Sequence, residues 1–391
     1  MNIDFVPFER AFVSETVGRY KIKESEYHDS GSIKVVDQGQ NLISGFTDRT
    51  DLVRKNTPYI VFGDHTKVIK LVDFEFVVGA DGVRLYKAAE GFDAEFLFLF
   101  LKSSVLPTDG YGRHSKYLND LFIPKIDLEN QCRITTKLKA QLAEVETARQ
   151  ALECQQQEIV NLANAYICES IEPSFNMGVG AGHARDLNHA GDDGIYSRAW
   201  PAPTDDPISV TETRLGDVLD EIKQGIGANW AEYPVLGATR NGLAPAKEPP
   251  GKQPQRYKPV FSGTVFYNPM RILIGSIAFV DDDDEPGITS PDYVVLQGKN
   301  GVVDSRWFYY WLRSPYGVQC INSLARGAVR ERMLFNRLAE GSILLPPYQE
   351  QLRVSKALAQ LKSVKSGIQK QLDELNKIPE RLLAQAFGNN D

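Results

Sequence analysis

The chain has 391 residues, more than one hydrophobic core usually serves, so two or three domains are expected. With 42% hydrophobic residues, 24% charged residues and a net charge of −7, the composition is that of an ordinary globular protein and argues mildly against nucleic-acid binding. No apolar run reaches a membrane span, no charged-then-apolar leader opens the chain, and Cys132, Cys154, Cys168 and Cys320 form no CxxC or CxxH cluster. A cytoplasmic protein without a disulfide framework, metal site or membrane contact is therefore expected.

Residues 1–127 read as a mixed domain. Strand-like runs stand at Ser32–Val36, Tyr59–Phe62, Val68–Val78 and Val83–Tyr86, punctuated by Gly63-Asp64, Gly79 and Asp81-Gly82. Asp93 reads as the N-cap of a buried helix that runs to Ser103. A Gly/Pro loop, Pro107 through Gly112, and the short segment His114–Phe122 then lead into a long helix at 128–172. There Leu138, Val145, Leu152, Ile159 and Tyr166 recur every seven residues. The parallel ladder (Ile134, Gln141, Ala148, Gln155, Leu162) is smaller and more polar. Residues 173–207 hold GVGAG, HAGDDG and PAPTDDP with little apolar material, and read as a flexible linker. A second mixed domain follows at 208–345, where acids and bases balance.

The segment 346–391 closes the chain as a second long helix, running from Pro346 to Phe387. Its ladder is Val354, Leu361, Ile368, Leu375 and Leu382, with Leu358 and Leu372 at the complementary offset. This ladder is fully apolar where its counterpart in the first helix is weak, so the two seams suit pairing with each other.

The chain is a tandem repeat. Gln131-Cys132-Arg133-Ile134 matches Gln351-Leu352-Arg353-Val354, and Leu138, Leu152 and Leu162 fall opposite Leu358, Leu372 and Leu382. Asp304 to Ser314 matches the Asp93 helix, with Trp307 on Phe96 and Trp311 on Phe100, and Asp292-Tyr293-Val294 lies on Asp81-Gly82-Val83. The order is domain, helix, domain, helix, an α+β organisation in which two mixed α/β domains alternate with two long helices.

Catalytic sets are not found. Leu345-Pro346-Pro347-Tyr348 resembles a methyltransferase loop, but Leu accepts no hydrogen bond from an amino group and proline is ordinary at a helix start. The glycines Gly178, Gly180 and Gly182 follow no strand. Asp292 with Lys299 has too short a spacing for a nuclease metal site, and the block Asp281–Glu285 reads as a solvated turn. No Walker A sequence is present, and no two histidines stand at metal-ligand spacing.

What remains is binding. Each domain carries a Gly/Arg cluster before its long helix, with Arg113 and Lys116 in the first and Arg326, Arg330 and Arg332 in the second. Arginine bridges guanine edge acceptors and also pairs with phosphate. Lys67, Lys70 and Arg84 in the first domain, and Arg256, Lys258 and Arg271 in the second, lie among aromatics and complete the candidate DNA-binding set.

This layout resembles the specificity subunit of type I restriction–modification systems. The strongest marks are Leu344-Leu-Pro-Pro-Tyr-Gln-Glu-Gln-Leu-Arg353 and its weaker copy Ile123-Pro-Lys-Ile-Asp-Leu-Glu-Asn-Gln-Cys-Arg133. Ser290-Pro-Asp-Tyr-Val294 and Val61-Phe-Gly-Asp-His-Thr66 are similar to target-recognition-domain segments. The resemblance implies that each domain reads one half of a bipartite site on double-stranded DNA. The two helices, packed as an antiparallel coiled coil, would set the spacing and dock two methyltransferase subunits. This chain would then be non-catalytic and hold no cofactor, with S-adenosylmethionine on the methyltransferases and ATP and magnesium on motor–nuclease subunits. The rival readings are a self-contained DNA methyltransferase or nuclease, and a coiled-coil scaffold with no nucleic-acid role.

Overall fold

The structure is a computed structural model that describes residues 4–18, 20–79, 81–107, 110, 112–172, 209–325 and 332–388. Arg326 and Arg330 of the candidate set, and the expected linker at 173–207, lie outside the described residues. The chain divides into two compact units. Met1–Leu152 joins Lys370–Asp391 in the first, and Glu153–Gln369 forms the second. Each unit thus holds one mixed domain together with pieces of both long helices.

In the first unit, strand Asp4–Pro7 pairs antiparallel with Phe122–Lys125, with Asp4 opposite Lys125. The pairing returns the chain to its start just before the long helix. The main sheet is antiparallel and four-stranded, in the order Phe12–Glu15, Val83–Ala88, Tyr59–Gly63, Ile69–Val72. The single run expected at Val68–Val78 is two strands. Ile69–Val72 stays in this sheet, whereas Phe76–Gly79 crosses to a second one and pairs in parallel with Lys21–Ile22 and Ile33–Val36. Both halves are apolar enough for burial, so composition alone does not mark the break at Asp73–Glu75.

Helix Ala94–Ser103 covers the main sheet. Asp93 caps it as expected, its carboxylate accepting from Phe96 N at 2.8 Å. Phe96, Leu97, Phe100 and Leu101 are buried against Ile60, Phe62 and Tyr86. Burying each such side chain contributes about 1.5–3 kcal/mol.

The second unit repeats this plan. Thr211–Arg214 pairs with Ser342–Leu345, and the main sheet has the order Leu219–Glu221, Val294–Gly298, Thr264–Tyr267, Ile277–Val280. Asp304 caps helix Ser305–Arg313 by accepting from Trp307 N at 2.8 Å. The remaining strands form two separate pairs, Leu236–Thr239 with Gly242–Pro245 and Lys258–Val260 with Gly287–Thr289. The core gathers Trp307, Phe308, Trp311 and Leu312 with Ile167 and Ile171 of the first long helix and Val354 and Leu358 of the second.

The first long helix is continuous over Leu128–Ile171, 44 residues or about 66 Å. The second is not one helix to Phe387. It runs Tyr348–Leu375, turns at Asn376-Lys377 and resumes as Ile378–Phe387. Pro379 supplies the reason: it has no N–H for the carbonyl of Leu375, and its ring crowds that carbonyl.

Candidate nucleic-acid interface

The junction between each domain and its following helix is built on one buried glutamine. The Gln131 side-chain oxygen accepts from Asp93 N at 2.8 Å, and its amide donates to Gly91 O at 2.9 Å and Ile126 O at 2.8 Å. Gln351 does the same one repeat later, accepting from Asp304 N at 2.9 Å and donating to Val302 O at 3.0 Å and Pro346 O at 2.9 Å. Both are completely buried. An amide has an acceptor and two donors on one rigid plane, so it ties the helix cap to the helix entry with no group left unsatisfied. The two glutamines correspond in sequence, but their role is visible only through the partners.

A second repeated contact brings the candidate cations together. In the first unit, His114 N donates to Asp64 O at 2.9 Å and Ser115 N donates to the Asp64 carboxylate at 2.9 Å. This fastens the Arg113–Lys116 segment to the turn between strands Tyr59–Gly63 and Ile69–Val72. Arg84, on the neighbouring strand, reaches the same carboxylate at 3.2 Å. Burial by itself would raise the Asp64 carboxyl, but the Ser115 bonds and the Arg84 guanidinium outweigh it and hold the group below the usual carboxylate range. Arg84, Arg113 and Lys116 remain exposed, Lys116 with its ammonium 4.7 Å from the centre of the Tyr117 ring.

In the second unit, Met333 N donates to Pro269 O at 3.0 Å, docking the Arg332 segment on the turn between Thr264–Tyr267 and Ile277–Val280. Arg271 is exposed on that turn, and Arg332 is exposed and reaches Asp292 at 3.2 Å. Each unit therefore presents an arginine-bearing segment, held by a main-chain bond, at the same end of the same sheet. Arg256 is exposed on a separate turn, with its guanidinium on the Gln253 side chain at 3.0 Å.

Two candidates are withdrawn. Lys70 and Lys258 are 5% and 9% exposed. The Lys70 ammonium donates to the Asp37 and Asn41 carbonyls, and that of Lys258 to Tyr293 O at 2.6 Å. Burial pushes both pKa values down, and neither ammonium is available to a phosphate. Spacing among aromatics marks them in sequence, but that signal does not separate a cation at a surface from one that props a loop. Lys67 also holds a loop, donating to Leu106 O and Pro107 O at 3.3 Å.

Asp64 reads in sequence as turn punctuation only, and its anchoring role emerges from its partners. The block Asp281–Glu285 is not a free solvated turn. Arg306 clasps Asp281, and Lys362 of the second long helix reaches Asp281 at 3.5 Å, Asp283 at 2.5 Å and Asp284 at 3.0 Å. Among the described residues no cluster of His, Cys, Asp and Glu is arranged to hold a metal ion, and no helix is long and apolar enough to cross a membrane.

Along the long helices, Leu138, Val354, Leu358, Ile368 and Leu372 are buried. Val145, Leu152, Ile159, Leu361, Leu375 and Leu382 are half-buried. In the second unit Gln156 donates to Gln369 at 3.0 Å and, further along, Glu169 faces Arg353, so the two helices run antiparallel there. Ala163, Ile167 and Ile171 are buried off the seven-residue ladder, and Leu162 is 41% exposed. Near the domain the helix faces the tryptophans rather than a partner helix alone, and a stripe spaced by four replaces the 3.5-residue seam. Leu383, packed with Leu99 and Leu138, escapes the ladder for the same reason.

Comparison with known proteins places this architecture. No family model matches the chain. The chain is 16% identical to a type I restriction–modification S subunit from M. genitalium, with a TM-score of 0.50 over 99% of this chain and 96% of that one. It is 17% identical to a chain from a structure of type I R-M complex assembly and conformational transition, with a TM-score of 0.58 over 98% and 97%. The fold is that of the type I specificity subunits. The EcoR124I/EcoR124II specificity subunit of Escherichia coli is 24% identical over 119 residues, and the match spans 30% of this chain and 30% of that relative.

Proposed function

We propose that this chain is the DNA-recognition subunit of a type I restriction–modification complex, in which each mixed domain reads one half of a bipartite site. The observation that carries the reading is the duplicated dock: Arg113 and Lys116 held on the Asp64 turn, and Arg332 held on the Pro269 turn beside Arg271. Fixed main-chain anchors with exposed guanidinium groups suit contacts to base edges and phosphates. Arg84, on the same Asp64 carboxylate, and Lys67, on the same turn, accompany the first dock, and Arg256 is a separate candidate in the second unit. The likeness in fold to S subunits over nearly the whole chain supports the same reading.

On this reading the 44-residue helix and its partner set the separation of the half-sites and dock two methyltransferase subunits, through which motor–nuclease subunits join. The chain itself performs no chemistry. The test is to express it with its methyltransferase subunits and map the methylated sequence in cells. Substituting Arg113 and Lys116 should relax one half-site, and substituting Arg271 and Arg332 the other, by about 1–3 kcal/mol for each bidentate pairing to a base. Inserting four residues near Ala148 and four near Ile368 would lengthen the helices by about 6 Å. At about 3.4 Å per base pair, the unread spacer should grow by one or two pairs. An active lengthened variant with an unchanged spacer would refute the ruler, and arginine variants that leave both half-sites intact would refute the interface.

A further inference from the structure

A cavity of about 180 Å³ lies within the second unit. It is bounded by residues 159–164 of the first long helix, the 272–277 turn, the end of helix Ser305–Arg313 and Leu361 and Lys365 of the second long helix. Ile159, Ile277, Leu312, Ile321 and Leu361 make most of its wall hydrocarbon. An engineered apolar cavity of about 150 Å³ is enough to take benzene, so the space suits one ring or a short branched chain.

Two cations border this space, Arg313 and Lys365. Arg313 is accounted for. Its guanidinium donates to Gly275 O and Ile277 O at 3.1 Å and to Arg240 O, and it lies 5.4 Å from the Tyr309 ring centre. Lys365 is not. It is half-buried, and among the described residues no carboxylate or carbonyl pairs with its ammonium. Lys362, on the same helix, is held by three acids. Burial, reinforced by the charge of Arg313, pushes the Lys365 pKa down. An ammonium in that position gains from an anion brought to it, since the described residues supply none.

We propose that this cavity binds an apolar carboxylate, its hydrocarbon body on the wall of Ile159, Ile277, Leu312 and Ile321 and its carboxylate on the Lys365 ammonium. A neutral hydrocarbon would fill the space but leave Lys365 unpaired, and a cation would be repelled by both charges. The corresponding concavity in the first unit, between strand Ile69–Val72 and helix Ala94–Ser103, is lined by Leu42, Lys67, Phe98 and Lys102 and takes no residue from either long helix.

The carboxylate has two sources, a free small acid or a carboxyl group of a bound protein subunit. The probe is 3-phenylpropionate, titrated calorimetrically into the full chain, with 3-phenylpropanol as the neutral control. The acid should bind at least tenfold more tightly than the alcohol. Lys365→Met should abolish that preference, while Lys365→Arg should retain it; circular dichroism melts show that both variants fold. The titration is then repeated on the chain assembled with methyltransferase subunits. Binding that persists identifies a free acid. Exclusion of the probe, with assembly weakened by Lys365→Met, identifies a subunit carboxylate. A wild-type chain that binds neither probe, or both equally, overturns the proposal.

Discussion

The two repeats share a scaffold and differ in what is mounted on it. The four-stranded sheet, the aspartate-capped helix, the buried glutamine and the main-chain dock recur with the same partners, although Phe96 and Phe100 are replaced by Trp307 and Trp311. Away from that scaffold the likeness ends. The first unit has a second four-stranded sheet with parallel pairs, where the second unit has two separate two-stranded pairs and an added helix, Pro315–Leu324. The ties to the long helices differ too. Glu95 meets Lys139 at 2.7 Å on the surface of the first unit, whereas Arg306, Asp281 and Lys362 form a largely buried network in the second. The glutamine junction and the capped helix are kept, while the side-chain ties to the long helices and the outlying strands diverge.

The comparison can be broken first at the tryptophan. Trp307 is fully buried and donates its indole N–H to Ser170 at 3.1 Å, whereas Phe96 packs on Phe387 with ring centres 5.3 Å apart. Trp307→Ala and Phe96→Ala should each cost about 3–5 kcal/mol in urea unfolding. Ser170→Ala should add a smaller loss in the second unit alone, since it strands the indole donor. Equal urea midpoints for Ser170→Ala and wild type would contradict the contact.

Next comes the charge network. Arg306→Met leaves Asp281 buried with only Lys362 opposite, and should cost about 3 kcal/mol. Lys139→Ala breaks an exposed pair and should cost under about 1 kcal/mol. The same contrast predicts a difference in acid. The Asp281 carboxyl would be raised by burial, but Arg306, the Asp282 N–H and Lys362 hold it below its ordinary value. Its contribution is complete above the unfolded value of about 3.9 and is lost as pH falls through the lower folded value. Hydrogen exchange followed downward from pH 5 should therefore show this loss in the second unit of wild type and not in Arg306→Met. Matching profiles would remove the network from the account of acid stability.

The glutamines give the most symmetrical effect. Gln131→Leu and Gln351→Leu should each destabilise by about 1–3 kcal/mol, because backbone groups at the helix cap and helix entry lose their partner. The two losses should agree, since the partners correspond one to one. A large loss at one position and none at the other, read by calorimetric melting, would show that the junctions are not equivalent.

Much of this organisation is local or periodic, and such features are legible in the linear text. Asp93 and Asp304 as caps, the alternation of domain and long helix, and the correspondence of Gln131 with Gln351 depend on neighbours in sequence or on comparison of one half with the other. Tertiary structure decided whatever depends on which surface a segment meets. Lys70 and Lys258 look like surface cations, yet each props a backbone loop, because a buried carbonyl competes for an ammonium as a phosphate would. The acidic run at Asp281 reads as solvent-facing until Arg306 and Lys362, far away in the chain, are folded against it. Ala163, Ile167 and Ile171 leave the seven-residue ladder because burial follows the nearest apolar surface, and near the domain that surface is the Trp307 core. Periodicity records the regular helical partner, while long-range packing sets the local exceptions, and in this chain those exceptions include the charges that anchor the domains.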